Sequence, residues 1–198
     1  MRYQDKKTIA LLIVLSAVLA LSVGTSSAQE PKEIGATGAY TFLGGYGLSH
    51  PGLGKTKQYV ETLDLILRYE KPLSNRLGAS WYEGYHSLAV ELPVHIVTDP
   101  GLAPMVGLNF LANWTFTGYS TATPYVFGGG GPLYSDAEIP GMGAHLNGSW
   151  QFGLGNKWAT RDGHILHVEY RYHHISNGGT EEPNDPLNSS KVLFGISF

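Results

Sequence analysis

Ser87-Leu88-Ala89-Val90-Glu91-Leu92-Pro93-Val94-His95-Ile96-Val97 carries an unbroken apolar row on its even positions, Leu88, Val90, Leu92, Val94 and Ile96. Its odd positions include Glu91 and His95. A period of two is that of a β-strand with unlike faces. The same rhythm returns through Met105–Phe116, where Val106, Leu108, Phe110, Ala112, Trp114 and Phe116 enclose Asn109 and Asn113. In His145–Trp158 the even set is Leu146, Gly148, Trp150, Phe152, Leu154, Asn156 and Trp158, against His145, Asn147, Gln151 and Lys157. Tyr59–Glu70 alternates with the opposite parity, Leu63, Leu65, Leu67 and Tyr69 against Asp64, Arg68 and Glu70.

A soluble sandwich also alternates, turning its apolar row into a core. Here the polar rows hold bulky Asn, Gln, His, Glu and Arg, not the Lys/Glu/Ser mixture of a solvated surface. Aromatic residues gather towards segment ends, at Trp114, Phe116, Trp158 and Phe198, where a membrane barrel carries its interfacial girdles. Composition agrees: of 198 residues only 15% are charged, with 26 Gly and 12 Tyr. The absence of Cys removes disulfides, thiol nucleophiles and thiolate metal sites. A net charge of −3 leaves no footprint for nucleic acid.

The first 28 residues read as an address. Arg2, Lys6 and Lys7 precede an apolar run from Thr8 to Val23, and Ser26-Ser27-Ala28 supplies a small-x-small cleavage signal. This is the layout of a secretory signal peptide, 1–28, leaving 29–198 as the mature barrel domain. No later stretch approaches the roughly 18 uninterrupted apolar residues of a spanning helix. Open strand edges are intolerable in lipid, so a spanning sheet must close. Eight segments are countable: 34–46, 59–70, 86–97, 104–117, 122–133, 143–158, 164–176 and 190–198. The fold predicted is all-β, an eight-stranded antiparallel transmembrane β-barrel whose interior is filled by side chains.

The seventh segment, His164-Ile165-Leu166-His167-Val168-Glu169-Tyr170-Arg171-Tyr172-His173-His174-Ile175-Ser176, carries chemistry. Leu166, Val168, Tyr170 and Tyr172 form its lipid face, so His167, Glu169, Arg171 and His173 point inward. Continuing the even row puts His174 and Ser176 outside the barrel. With a periplasmic N-terminus, odd strands run outward, and this pair lies at the outer-leaflet end. Residues two apart on a strand share a face at about 6–7 Å. That spacing lets an imidazole take the proton of a serine hydroxyl as it attacks an ester.

His174-Ile175-Ser176-Asn177-Gly178-Gly179, followed by Pro183-Asn184-Asp185 and a closing strand ending on Phe198, resembles the lipid A 3-O-deacylase (PagL) family of outer-membrane hydrolases. Glu169-Tyr170-Arg171-Tyr172 fits as well, and Glu91-Leu92-Pro93 and Pro124-Tyr125-Val126 fit more loosely. The resemblance implies hydrolysis of the acyl ester at position 3 of lipid A in the lipopolysaccharide of the outer leaflet, without a metal or cofactor. It makes His174 the base and Ser176 the nucleophile. Gly179 N–H and the Asn184 side chain would form an oxyanion hole, and Asn177 would hold the turn.

One position departs from the family. Its best-known form has Glu fourteen residues after the His, where this chain has Asn188. An amide oxygen can orient an imidazole but cannot offset its charge. Glu181, Glu182 and Asp185 are alternatives for the third member. Several other features take structural readings. His164, His167, His173 and His174 do not share a face in metal-binding number. Gly128–Gly131 reads as a bend or a place of close lipid approach, since no Lys-Ser/Thr or helix follows it. Asp64, Arg68, Glu91, Glu169 and Arg171 read as paired charges filling the barrel. The rival function is a non-catalytic barrel with a structural or binding role, and a homodimer is left open.

Overall fold

The computed structural model describes residues 38–119 and 122–198. The expected signal peptide, 1–28, lies outside the described residues, as does the start of the first expected segment. Among the described residues nine strands form: β1 (Ala39–Ser49), β2 (Glu61–Pro72), β3 (Gly84–Asp99), β4 (Ala103–Gly107), β5 (Asn109–Phe116), β6 (Thr123–Ser135), β7 (Leu146–Ala159), β8 (Ile165–Ser176) and β9 (Leu187–Ser197). All pairings are antiparallel, and β1 pairs with β9 to close the sheet. β4 and β5 are halves of one crossing. β4 meets β3 through Val94↔Val106, β5 meets it through Glu91↔Asn109, and both continue onto β6. The chain is an eight-crossing, closed, all-β barrel.

The expected continuous segment 104–117 is thus interrupted at Leu108, and prolines on both flanking strands explain it. A Cβ at Gly107 would lie 3.1 Å from Pro132 O and 3.3 Å from Pro93 Cγ. Neither proline has an N–H for the ladder, although Leu108 N still donates to Pro132 O at 3.0 Å. The closing strand begins at Leu187, earlier than the expected 190, and so takes Asn188 into the sheet opposite His174.

The faces are inverted relative to a soluble protein. Leu92, Phe110 and Phe152 expose about half their surface, at 53, 50 and 52%, whereas Glu91, Glu169 and Arg171 expose none. This is the expected parity, apolar row outward and charged row inward. Trp114, Phe116 and Phe198 gather at one end with Tyr40 and Tyr69. Trp150, Phe152 and Tyr172 form a second aromatic belt towards the other.

Inside, charges pair in tiers. Lys191 Nζ lies 2.8 and 2.9 Å from the two Asp64 oxygens, and His95 Nδ1 lies 2.6 Å from Oδ1. The next tier joins Arg68 and Arg171 to Glu91 and Glu169, as Arg68 Nη1–Glu169 at 2.6 Å and Arg171 Nη1–Glu91 at 2.8 Å. Lys157 and Glu70 pair at 3.0 Å beyond them. Tyr125 also fills the lumen, its ring occupying the space that a Cβ at Gly155 would need. The end that carries the β8–β9 loop is closed differently, by apolar Val60, Val97, Met105, Leu133, Ile139, Ile175 and Leu187.

Gly129 to Gly131 receive a reason other than bending or lipid. A Cβ at Gly129, Gly130 or Gly131 would strike the carbonyl oxygen of Phe110, Ser149 or Leu108 respectively. Neighbouring backbone, not lipid, comes too close for a side chain.

Candidate active site

β8 alternates its two histidines across the wall. His173 is buried in the lumen with Nε2 at 2.8 Å from Ser149 Oγ. His174, one residue later, lies on the outer face with Nε2 at 3.2 Å from Ser176 Oγ. Its other nitrogen, Nδ1, lies 2.7 Å from Asn188 Oδ1 on β9. Strand register brings these groups together: His174 is opposite Asn188 on one side and Trp150 on the other. The Trp150 and imidazole rings stack, with centroids 5.1 Å apart and planes at 28°.

Hydrogen-bond roles fix the tautomer. Asn188 Nδ2 donates to Leu53 O at 3.2 Å and Thr56 Oγ1 at 2.8 Å, so Oδ1 is the end turned to β8. Tyr172 OH also donates to that oxygen, at 2.7 Å. An acceptor there requires N–H at His174 Nδ1, which leaves a lone pair on Nε2 facing the Ser176 hydroxyl. Of the alternative third groups, Glu181 and Glu182 are exposed and Asp185 pairs with Lys57 at 2.9 Å. None bonds to His174 among the described residues.

The loop after Ser176 is built on Asn177. Its Oδ1 accepts from Gly179 N at 2.8 Å and its Nδ2 donates to Glu181 O at 2.7 Å. Gly178 and Gly179 take positive φ of 68° and 81°, which only glycine adopts without strain. Asn184 Oδ1 accepts from Asn177 N at 3.1 Å, turning its amide nitrogen the other way. The 136–145 loop braces this turn through Gly143 N→Pro183 O at 2.7 Å and Asp185 N→Gly141 O at 2.8 Å. Gly179 N–H is therefore engaged by Asn177 here, whereas the Asn184 amide donor points away from its partner. Beside Ser176 on β7 stands Gly148, whose missing side chain leaves the hydroxyl open on that flank.

Sequence reading brought together His174, Ser176, Asn177, Gly179, Asn184 and Asn188 at one end of the barrel, and the structure places them there. It missed Trp150 as a neighbour of the imidazole, and it missed Leu53 and Thr56 altogether. Their pairing with Asn188 spans more than 130 positions, and no local pattern announces it.

A closed barrel with an apolar outside and a charge-filled inside defines a class, the outer-membrane β-barrels, and this one carries a Ser–His–Asn array on its outer wall. The model of the lipid A 3-O-deacylase (PagL) family matches residues 63–197, and this chain belongs to that family. That span includes the six residues above but not the loop 50–60. The fold resembles the crystal structure of the outer membrane enzyme PagL, with TM-score 0.53 and 17% identity, covering 80% of this chain and 98% of that one. Neisserial surface protein A (NspA) gives TM-score 0.53 and 13% identity, covering 81% and 95%. No curated protein matches the sequence. These comparisons give no support to the homodimer.

Proposed function

We propose that this protein is a serine esterase of the Gram-negative outer membrane that hydrolyses the acyl ester at position 3 of lipid A. His174, hydrogen-bonded at once to Asn188 (2.7 Å) and Ser176 (3.2 Å) on the lipid face of a family member, carries this reading. Nε2 takes the Ser176 proton as Oγ attacks the ester carbonyl. The tetrahedral intermediate collapses by breaking the bond to the sugar oxygen, which receives the proton from the imidazolium. The acyl group stays on Ser176 until water, activated by the same nitrogen, releases it as a fatty acid. Asn188 keeps the imidazole in the right tautomer, but its neutral amide offsets no positive charge, so catalysis is slower than with a carboxylate.

For the oxyanion, the Asn184 amide is the better-placed donor, because Gly179 N–H must first leave Asn177. Asn184→Asp keeps the acceptor for Asn177 N–H and removes the donor, and is expected to cost about 10²–10³-fold in acyl release. Retained activity in that variant, with the loop intact, would remove Asn184 from the oxyanion hole.

Lipid A mass spectrometry on cells with and without the protein tests the reaction. Loss of one acyl chain from position 3, with free fatty acid released, supports hydrolysis. Unchanged lipid A would mark a non-catalytic barrel, and an acylated acceptor in place of fatty acid would mark a transferase.

A further inference from the structure

A carboxylate beside a histidine presents an oxygen whichever way it turns, but an amide does not. If the Asn188 side chain were flipped, Nδ2 would face Tyr172 OH and His174 Nδ1. The imidazole would then carry its proton on Nε2, pointing at Ser176 with a donor where a base is needed. In a serine-protease triad the wrong tautomer of this kind costs about 10⁴-fold. A chain with Asn at this position therefore needs something that distinguishes the two ends of the amide.

The loop 50–60 does so. Leu53 O at 3.2 Å and Thr56 Oγ1 at 2.8 Å both accept from Asn188 Nδ2, and Thr56 Oγ1 also accepts Asn188 N–H at 2.9 Å. A flipped amide would set its oxygen against the Leu53 carbonyl. Thr56 is buried at 3% exposure, and its loop is tied down around it. Gly52 N→Thr56 O (2.9 Å) and Thr56 N→Leu53 O (3.2 Å) fold the loop so that both acceptors face β9. His50 anchors its near end, through His50 N→Asn188 O at 2.9 Å and Nε2 at 2.7 Å from Ser190 Oγ. Burial lowers the pKa of His50, which keeps that ring neutral.

We propose that Thr56 and the Leu53 carbonyl are positioning groups of the active centre: the carbonyl, which can only accept, selects the one amide orientation that makes His174 a base towards Ser176, and Thr56 holds Asn188 against it. The proposal rests on the reading of His174 and Ser176 as the reacting pair. Neither locking residue lies within the span matched by the family model.

The test compares wild type, Ser176→Ala, Thr56→Val, Thr56→Ser, Asn188→Asp and the double variant Thr56→Val/Asn188→Asp. Each is purified as the full barrel and checked for folding by the mobility of unheated samples on gels. Fatty-acid release from lipopolysaccharide is then measured across pH. Thr56→Val is expected to lower kcat by about 10- to 100-fold with KM little changed, and Thr56→Ser to retain the rate. In the Asn188→Asp background the same Thr56→Val change is expected to cost several-fold less than in the wild-type background, because a carboxylate presents an acceptor to His174 whichever way it turns. Asn188→Asp should also move the acid limb of kcat/KM upward in either background, since its charge stabilises the imidazolium.

A wild-type rate in Thr56→Val, an equal loss in both backgrounds, or an unmoved acid limb would overturn the lock. If those results come with an active wild type and an inactive Ser176→Ala, the catalytic reading survives alone. A wild type that releases no fatty acid ends both.

Discussion

Ser176→Ala is expected to lower acyl release by at least about 10³-fold, approaching 10⁶-fold, while the barrel folds as before. The size follows from the proposed role: without Oγ no acyl-enzyme can form, and water placed by His174 and the oxyanion donors would supply the residual rate. The unchanged fold follows from position. Ser176 stands on the outer wall at the end of β8, and the hydrogen bond it gives up is that to His174 Nε2. Gel mobility and the thermal unfolding midpoint should match wild type. A variant releasing fatty acid within tenfold of the wild-type rate would take the nucleophile away from Ser176.

Arg171→Leu should do the reverse, damaging the barrel through its interior. The Arg171 side chain is wholly buried and donates to Glu91 from Nη1 (2.8 Å) and Nη2 (2.9 Å), to Glu169 from Nε (2.9 Å) and to Gln151 from Nη1 (3.0 Å). Removing it leaves two buried carboxylates sharing Arg68, and breaking a buried ion pair in this way costs about 3–5 kcal/mol. Lys at 171 should restore little, because an ammonium cannot bridge two carboxylates in a fixed plane. The measure is the urea midpoint of barrels folded into lipid vesicles. An unchanged midpoint would show that Glu91 and Glu169 do not depend on Arg171. The effect on catalysis should be secondary, since His174 and Ser176 stand on the opposite face of the same strand.

Much of the site was legible because strand parity is a local property. From Ser87–Val97 alone, the apolar row faces out and Glu91 and His95 face in; the same rule sends His173 inward and His174 outward. The turn after Ser176 was also within reach: Asn177-Gly178-Gly179 is a turn sequence, and an Asn side chain accepting the N–H two residues on is a common use of it. Its consequence, that Gly179 N–H is engaged, went unread. The break at Leu108 was hidden because its cause lies on two other strands, in Pro93 and Pro132. The apolar closure of the lumen was hidden because Ile175 and Leu187 have the same parity as buried charges a few residues away.

The sequence by itself determined that this chain crosses lipid as strands, which way each side chain faces, and that a histidine and a serine share the outer wall. Side-chain alternation needs no partner, so one strand's residues suffice to read it. Only the tertiary structure decided which atoms meet across that wall. Barrel closure and register set Asn188 opposite His174, and a loop more than 130 residues away in the chain turns the amide. Those contacts depend on how distant segments align, and hydrophobic pattern carries no record of that.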